Sequence, residues 1–138
     1  MDKETKDMLI SKALAARDMS YCPYSDFAVG AALMTKSGKV ITGANVESAS
    51  YSPTVCAERV AFFSAIHSGE RDFSAIAVVG GKRGASPTSY SPPCGVCRQV
   101  MAEFCDGDFE IILFDGREAK SYTLSDLLPE GFGRSNLN

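Results

Sequence analysis

Cys94 and Cys97 stand two residues apart in the run Pro93-Cys94-Gly95-Val96-Cys97, and a third cysteine, Cys56, lies far upstream. Each opens a segment with helical patterning. Gly95 to Cys105 carries Val96, Val100, Met101 and Phe104 at helical spacing. Val55 to Ser68 lacks Gly and Pro, places Val60, Phe63 and Ile66 or His67 on one side, and is expected to end at Gly69. At a helix start the unpaired N–H groups carry partial positive charge, which favours thiolate over thiol. The Cys94–Cys97 spacing lets both sulfurs reach one tetrahedral ion, and Cys56 can join them only if the two helix starts converge. Soft thiolates in that number suit zinc. Any fold for this chain has to allow that convergence.

The remaining pattern shows how it can. From Glu4 to Ser20, Leu9, Ile10, Ala13, Leu14 and Ala16 share one face, which predicts an opening amphipathic helix that stops before Pro23. Phe27 to Met34 and Lys39 to Gly43 read as strands of a hairpin around Ser37-Gly38. Phe73 to Val79 reads as a buried strand closed by Gly80-Gly81, and Lys82 to Ser91 as a polar loop. Phe109 to Phe114 and Ser121 to Leu124 are strand-like, and the tail after Pro129 is expected to be irregular. Strands alternating with helices predict an α/β chain, a mixed sheet of about five strands covered by helices. No repeat or linker divides it, so residues 1–138 are expected to form one domain.

Charge narrows the partners. A formal net charge of -3, with no run of Lys or Arg, gives no electrostatic footprint for a polynucleotide. Met1 to Lys6 is charged where a signal peptide needs an apolar core, and no stretch approaches the roughly 20 apolar residues of a membrane span. The reading is a soluble, cytoplasmic protein. Five cysteines, an odd number, point to metal ligands or buried thiols rather than a disulfide framework.

Structural zinc sites are normally closed by four protein groups, whereas catalytic sites keep a position for water. Cys22 and Cys105 stand in no ligand-like spacing with the other three, and the single histidine, His67, falls roughly 16 Å along the second helix from Cys56. These three are read as structural, which leaves one coordination position to solvent. Glu58 lies two residues after Cys56, and an acid beside an activated water is what hydrolysis needs for proton transfer. In a regular helix that spacing separates the two side chains, so they share a site only if Cys56 sits at an irregular first turn. Zinc with three thiolates carries excess negative charge, which Arg59 or Arg98 is placed to offset.

Cys56-Ala57-Glu58-Arg59 and Pro93-Cys94-Gly95-Val96-Cys97-Arg98-Gln99 together resemble the cytidine deaminase family, in its small three-cysteine, homotetrameric branch. The likeness extends over Tyr24 to Leu33, Gly43 to Tyr51 and Leu127-Leu128-Pro129. It implies a layered α/β/α fold, one Zn²⁺ per subunit on Cys56, Cys94 and Cys97, and Glu58 as proton shuttle. The implied reaction is attack of zinc-bound hydroxide at C4 of cytidine or 2'-deoxycytidine, releasing ammonia and serving pyrimidine salvage. It further implies Asn45 and Glu47 as ribose binders, which fits alternate residues of an extended segment sharing one face. Phe27 resembles a base-packing aromatic, and the Ala57 N–H a donor to the pyrimidine carbonyl. Tyr51 and Phe132 are similar to residues that line a neighbouring subunit's site. Pro92 departs from relatives with Ser or Thr there; proline keeps the carbonyl that would accept from the substrate amine but fixes φ. Residues 82–90 are assigned no role.

Two other readings share some of these features. A blasticidin-type nucleoside-antibiotic deaminase would have the same zinc motifs, and Asn45 with Glu47 argue against it. A structural-zinc interaction module would need a closed metal site and a basic or aromatic face, which the acidic balance and absence of Trp disfavour.

Overall fold

The computed structural model describes residues 1–138. Helix α1 (Lys3–Ala16) starts at Asp2, whose side chain accepts from the Thr5 N–H, and runs out into a 3₁₀ turn at Arg17–Met19. Strands β1 (Phe27–Thr35) and β2 (Val40–Ala44) form the expected hairpin, with Gly38 at φ +96° in its turn. Then come α2 (Ala57–His67), β3 (Phe73–Lys82), α3 (Gly95–Phe104), β4 (Glu110–Phe114), β5 (Ala119–Thr123) and a short α4 (Leu124–Leu127).

The five strands make one sheet in the order β2-β1-β3-β4-β5. Side chains alternate along each strand, so each strand feeds two cores. Ala75, Ala77 and Val79 of β3 join Ala32 and Ile112 against Leu9, Ile10 and Ala13 of α1. Ile76 and Val78 join Ala31, Leu33, Ile111 and Leu113 against Ala61, Phe62, Ala65 and Met101 from α2 and α3. Phe62 anchors that second core, with its ring 5.2 Å from Phe73 and 5.9 Å from Phe109. The result is the expected α/β/α layering. β3 and β4 are parallel while the other pairs are antiparallel, so the sheet is mixed.

Topology explains the convergence demanded by the cysteines. β1 lies between β2 and β3 and is antiparallel to both, so β2 and β3 run in the same direction. The chain leaves each strand at the same end of the sheet and enters the helix that follows it, α2 after β2 and α3 after β3. Both helices lie on one face, so both N-termini open above one sheet edge. β1 begins at that edge with Phe27.

The structure departs from the sequence expectation in four places. β3 continues through Gly80-Gly81 to Lys82, because Ala28 and Phe27 still pair with these residues. Leu124 does not extend β5 but opens α4, where Thr123 and Asp126 form a reciprocal capping box. The tail includes a 3₁₀ turn at Arg134–Leu137. On α2 the buried residues are Ala57, Glu58, Ala61, Phe62 and Ala65, whereas Phe63, expected inside, is 50% exposed. Close approach decides the face. A Cβ on Gly43 of β2 would lie 2.6 Å from both the Ala57 carbonyl oxygen and the Ala61 nitrogen. The α2 backbone, with the Val60 Cβ 3.1 Å from the same point, thus packs directly against the strand in the space that the glycine leaves.

Gly43→Ala should therefore cost about 3 kcal/mol of stability through overpacking against backbone. Urea unfolding would show a lower midpoint with unchanged slope; a wild-type midpoint would mean that α2 can slide away from β2 freely.

Candidate active site

Cys56 is the N-cap of α2 and Cys94 the N-cap of α3, and both have extended backbone dihedrals. This resolves the spacing difficulty: Cys56 precedes the regular turns, so its sulfur and the Glu58 side chain are not forced to opposite sides. Cys97, in the first turn of α3, donates its backbone N–H to the Cys94 sulfur at 3.5 Å. The three sulfur atoms all lie within 4.8 Å of one another, and Cys56 Sγ is 3.7 Å from Cys94 Sγ. Two sulfurs on one tetrahedral zinc, at Zn–S of about 2.3 Å, are separated by about 3.8 Å. The donor set and its spacing thus fit zinc. Cys22 is fully buried elsewhere and Cys105 is outside the cluster, while His67 lies exposed at the far end of α2. No fourth protein ligand joins the three sulfurs.

Charge at this cluster is shared among neighbours. The Cys97 sulfhydryl pulls the Cys56 thiol down to about 5, against the cost of burial, with further help from the Arg59 guanidinium and Cys94. Cys97 is pushed far up by the same partnership with Cys56, reinforced by burial. Arg59 Nη2 donates to Cys56 Sγ at 3.4 Å. Burial works against the Arg59 charge, but the Cys56 and Cys97 sulfurs more than offset it and raise its pKa. Arg59 Nε is buried without an acceptor. Arg98 is not brought to the sulfurs in the same way: its Nε donates to Pro93 O and its Nη1 to Leu127 O, both at 2.7 Å. It braces α3 against α4.

Glu58 is 3% exposed. Burial pushes its carboxyl up to about 7, with the Cys56 thiolate adding to the rise and its own backbone N–H, Cys97 and Arg59 opposing it. A group poised there accepts and releases a proton near neutrality. Beside it, the Ala57 N–H is one of the donors that a helix start leaves without an intrahelical acceptor.

Asn45 and Glu47 follow β2 in an extended segment clasped on both sides. Val46 exchanges backbone hydrogen bonds with Val55, while Tyr21 N donates to Asn45 O and Glu47 N donates to Tyr21 O, both at 2.9 Å. Cys56 follows Val55 directly, so this clasp ties the pair to the sulfur cluster. Asn45 Oδ1 accepts from Ser20 Oγ and from Val29 N, and Nδ2 donates to Phe27 O at 2.9 Å. Glu47 Oε1 accepts from Tyr24 N at 3.0 Å and Ser25 N at 3.1 Å, and Oε2 accepts from the Ser25 hydroxyl. That hydroxyl chiefly holds the Glu47 carboxyl below its ordinary range. Sequence reasoning missed Ser20 and Ser25, whose partners lie more than twenty residues away. The only local signal was their place in a turn-rich stretch before β1.

Phe27 is 41% exposed at the start of β1, and a Cβ on Gly80 would lie 2.9 Å from its ring. Tyr51, at φ +64° and 71% exposed, packs edge-on against Tyr24 with ring centres 6.3 Å apart. Phe132 lies apart from them. Its carbonyl accepts from Gln99 Nε2 at 2.7 Å, and it lines a groove of about 790 Å³ that also holds Ala102, Phe104 and Cys105.

Residues 3–112 match the family model for the cytidine and deoxycytidylate deaminase zinc-binding region. The chain belongs to that deaminase family. It is 48% identical to a cytidine deaminase of Halalkalibacterium halodurans over 96% of this chain and 98% of the relative. A crystal structure of cytidine deaminase from Burkholderia pseudomallei superposes with a TM-score of 0.85 at 45% identity, covering 96% of this chain and 100% of that one. A blasticidin-S deaminase of Bacillus cereus is a more distant likeness, 32% identical over 78% of each chain. As a member of the deaminase family the chain is a zinc-dependent enzyme acting on C–N bonds, and its three-sulfur cluster is positioned to hold the ion.

After zinc is stripped with a chelator, ultraviolet absorbance should report Cys56 ionising near pH 5. A thiol with a depressed pKa is thiolate above that value, so alkylation by iodoacetamide should be fast at neutral pH. Arg59→Gln should move the midpoint upward, and an unchanged midpoint would remove Arg59 from the charge balance. Cys105, which burial pushes up to about 12, should stay unmodified in the folded protein.

Proposed function

We propose that residues 1–138 form one deaminase domain that hydrolyses cytidine and 2'-deoxycytidine to uridine and 2'-deoxyuridine with release of ammonia. The observation that carries this reading is three converging cysteine sulfurs, with no fourth protein ligand, beside a buried glutamate whose pKa lies near neutrality. Bound by Cys56, Cys94 and Cys97, zinc supplies Lewis acidity that makes water a nucleophile at neutral pH.

The chain's own groups do the rest. Glu58 takes one proton from the attacking water and delivers it to N3 of the base, where it stays. It then carries the second, from the new C4 hydroxyl, to the departing amine as the C4 carbonyl forms and the C–N bond breaks. Its buried environment keeps the neutral and ionised forms close in energy, so neither transfer is strongly uphill. Phe27 packs against the base, and the Ala57 N–H donates to the pyrimidine carbonyl. Arg59 and the two helix N-termini offset the negative charge of three thiolates around one divalent ion.

Asn45 and Glu47 hold the sugar. Both acceptor sites on Asn45 Oδ1 and one of its two amide hydrogens are engaged, which leaves one donor. Three of the roughly four acceptor sites of Glu47 are engaged, which leaves one acceptor. One donor beside one acceptor complements a single hydroxyl, so the pair reads one hydroxyl and is indifferent to a second. Ribose and deoxyribose nucleosides both satisfy it. This favours a nucleoside over an antibiotic of the blasticidin type.

The same reading includes a homotetramer, in which Tyr51 and Phe132 reach a neighbouring site, and a cytoplasmic role in pyrimidine salvage. In support, Tyr51 and Phe132 are 71% and 60% exposed in the single subunit and so are free to meet a neighbour. No helix is long and apolar enough to cross a membrane.

Purified protein incubated with cytidine or deoxycytidine should yield the uridine product and ammonia, and chelation should abolish turnover. Glu58→Gln should retain zinc while kcat falls about 10³-fold or more. Activity within tenfold of wild type would exclude Glu58 as the shuttle, and no turnover by zinc-loaded wild type would defeat the deaminase reading.

A further inference from the structure

We propose that Ser25 is a positioning residue that aims the Glu47 carboxylate at the sugar, so that nucleoside affinity depends on its hydroxyl. The inference rests on the nucleoside deaminase reading and adds a residue to it. Ser25 Oγ accepts the Phe27 N–H at 3.0 Å, which occupies one side of the oxygen. Its single hydrogen is thereby directed to Glu47 Oε2. The chain Phe27 N–H to Ser25 hydroxyl to Glu47 carboxylate links the start of β1, where the base-packing ring sits, to the group that reads the sugar. Ser25 thereby adds a tie between the two halves of the substrate site beside the Asn45 Nδ2 bond to Phe27 O.

The turn that carries Ser25 is itself fixed. Asp26 adopts φ +59°, a left-handed conformation that non-glycine residues keep only when their surroundings impose it. Arg83 imposes it twice: its backbone N–H donates to Asp26 O at 2.8 Å, and its guanidinium pairs with the Asp26 carboxylate at 2.8 Å. Asp26 N donates to Cys22 O at 2.9 Å and closes the turn from the other side. The carboxylate of Glu47 therefore meets a prebuilt cradle of two N–H groups and one hydroxyl. Losing the hydroxyl frees Oε2 to rotate and to bind water, and that freedom has to be removed again when the sugar binds.

Ser25→Ala should raise KM for cytidine about tenfold, the scale of one charge-assisted hydrogen bond, while kcat stays within about twofold because the proton transfers at Glu58 are untouched. Ser25→Thr, which keeps a hydroxyl, should recover most of the lost affinity. The nucleoside 2',3'-dideoxycytidine keeps the 5'-hydroxyl but lacks the 3'-hydroxyl, the ring hydroxyl that ribose and deoxyribose share and the one assigned to Glu47. With it, wild type and Ser25→Ala should have the same KM. Circular dichroism of each variant establishes that it is folded. A cytidine KM in Ser25→Ala within twofold of wild type, an equal rise with the dideoxy substrate, or a Ser25→Thr variant as weak as Ser25→Ala would each overturn the positioning role. If wild type turns over no cytidine, the deaminase reading fails and the Ser25 role falls with it. If wild type is active and only these comparisons fail, the Ser25 role falls alone.

Discussion

β1 pairs with β2 on one side and β3 on the other, antiparallel to both, and the position of every group at the site follows from that arrangement. Had either pairing been parallel, α2 and α3 would begin at opposite ends of the sheet and Cys56 would lie a full strand length from Cys94. Instead both helix starts, the first residue of β1 and the extended segment after β2 crowd above one sheet edge. Crevices beyond the carboxyl ends of strands are where open α/β sheets bind ligands. Here the edge brings together sulfur ligands from the two caps, an acid from the first turn of α2, and the side chains of Asn45 and Glu47, proposed to read the sugar, from the clasped segment.

Electrostatics at that edge has to satisfy opposing demands. Thiolates near a buried carboxylate repel it, and burial alone disfavours every charge present. The helix N-termini and Arg59 answer from the positive side, and Arg59 sits close enough to donate to Cys56 directly. Arg98, which directly follows Cys97 in sequence, instead holds the Pro93 and Leu127 carbonyls. The two arginines thus divide the work, one serving charge and the other geometry.

Much of this was legible in the chain. The hairpin was visible in alternation around Ser37-Gly38, the metal triad in cysteine spacing, and the layered fold in the order of elements. The face of α2 was not. Periodicity placed Val60 and Phe63 on the inner side, whereas in the fold Ala57, Ala61, Phe62 and Ala65 are buried and the α2 backbone itself lies against Gly43. Ser20 and Ser25 escaped for another reason. A hydroxyl that serves a partner far along the chain looks like any turn serine until the fold closes the gap. Phe132 could be placed only by the tail's own tether, Gln99 on its carbonyl.

The caps carry one more implication. Cys94 Sγ accepts the Cys97 N–H, so the sulfur that would bind metal also closes the first turn of α3. Ligand geometry and helix initiation are then the same local event. Zinc affinity in such an arrangement includes the free energy of ordering that turn. During synthesis, a chain that encounters zinc early would fix the beginnings of two helices at once, before β3, the strand between them, has finished pairing. Metal supply would then act on the yield of folded enzyme as well as on its rate.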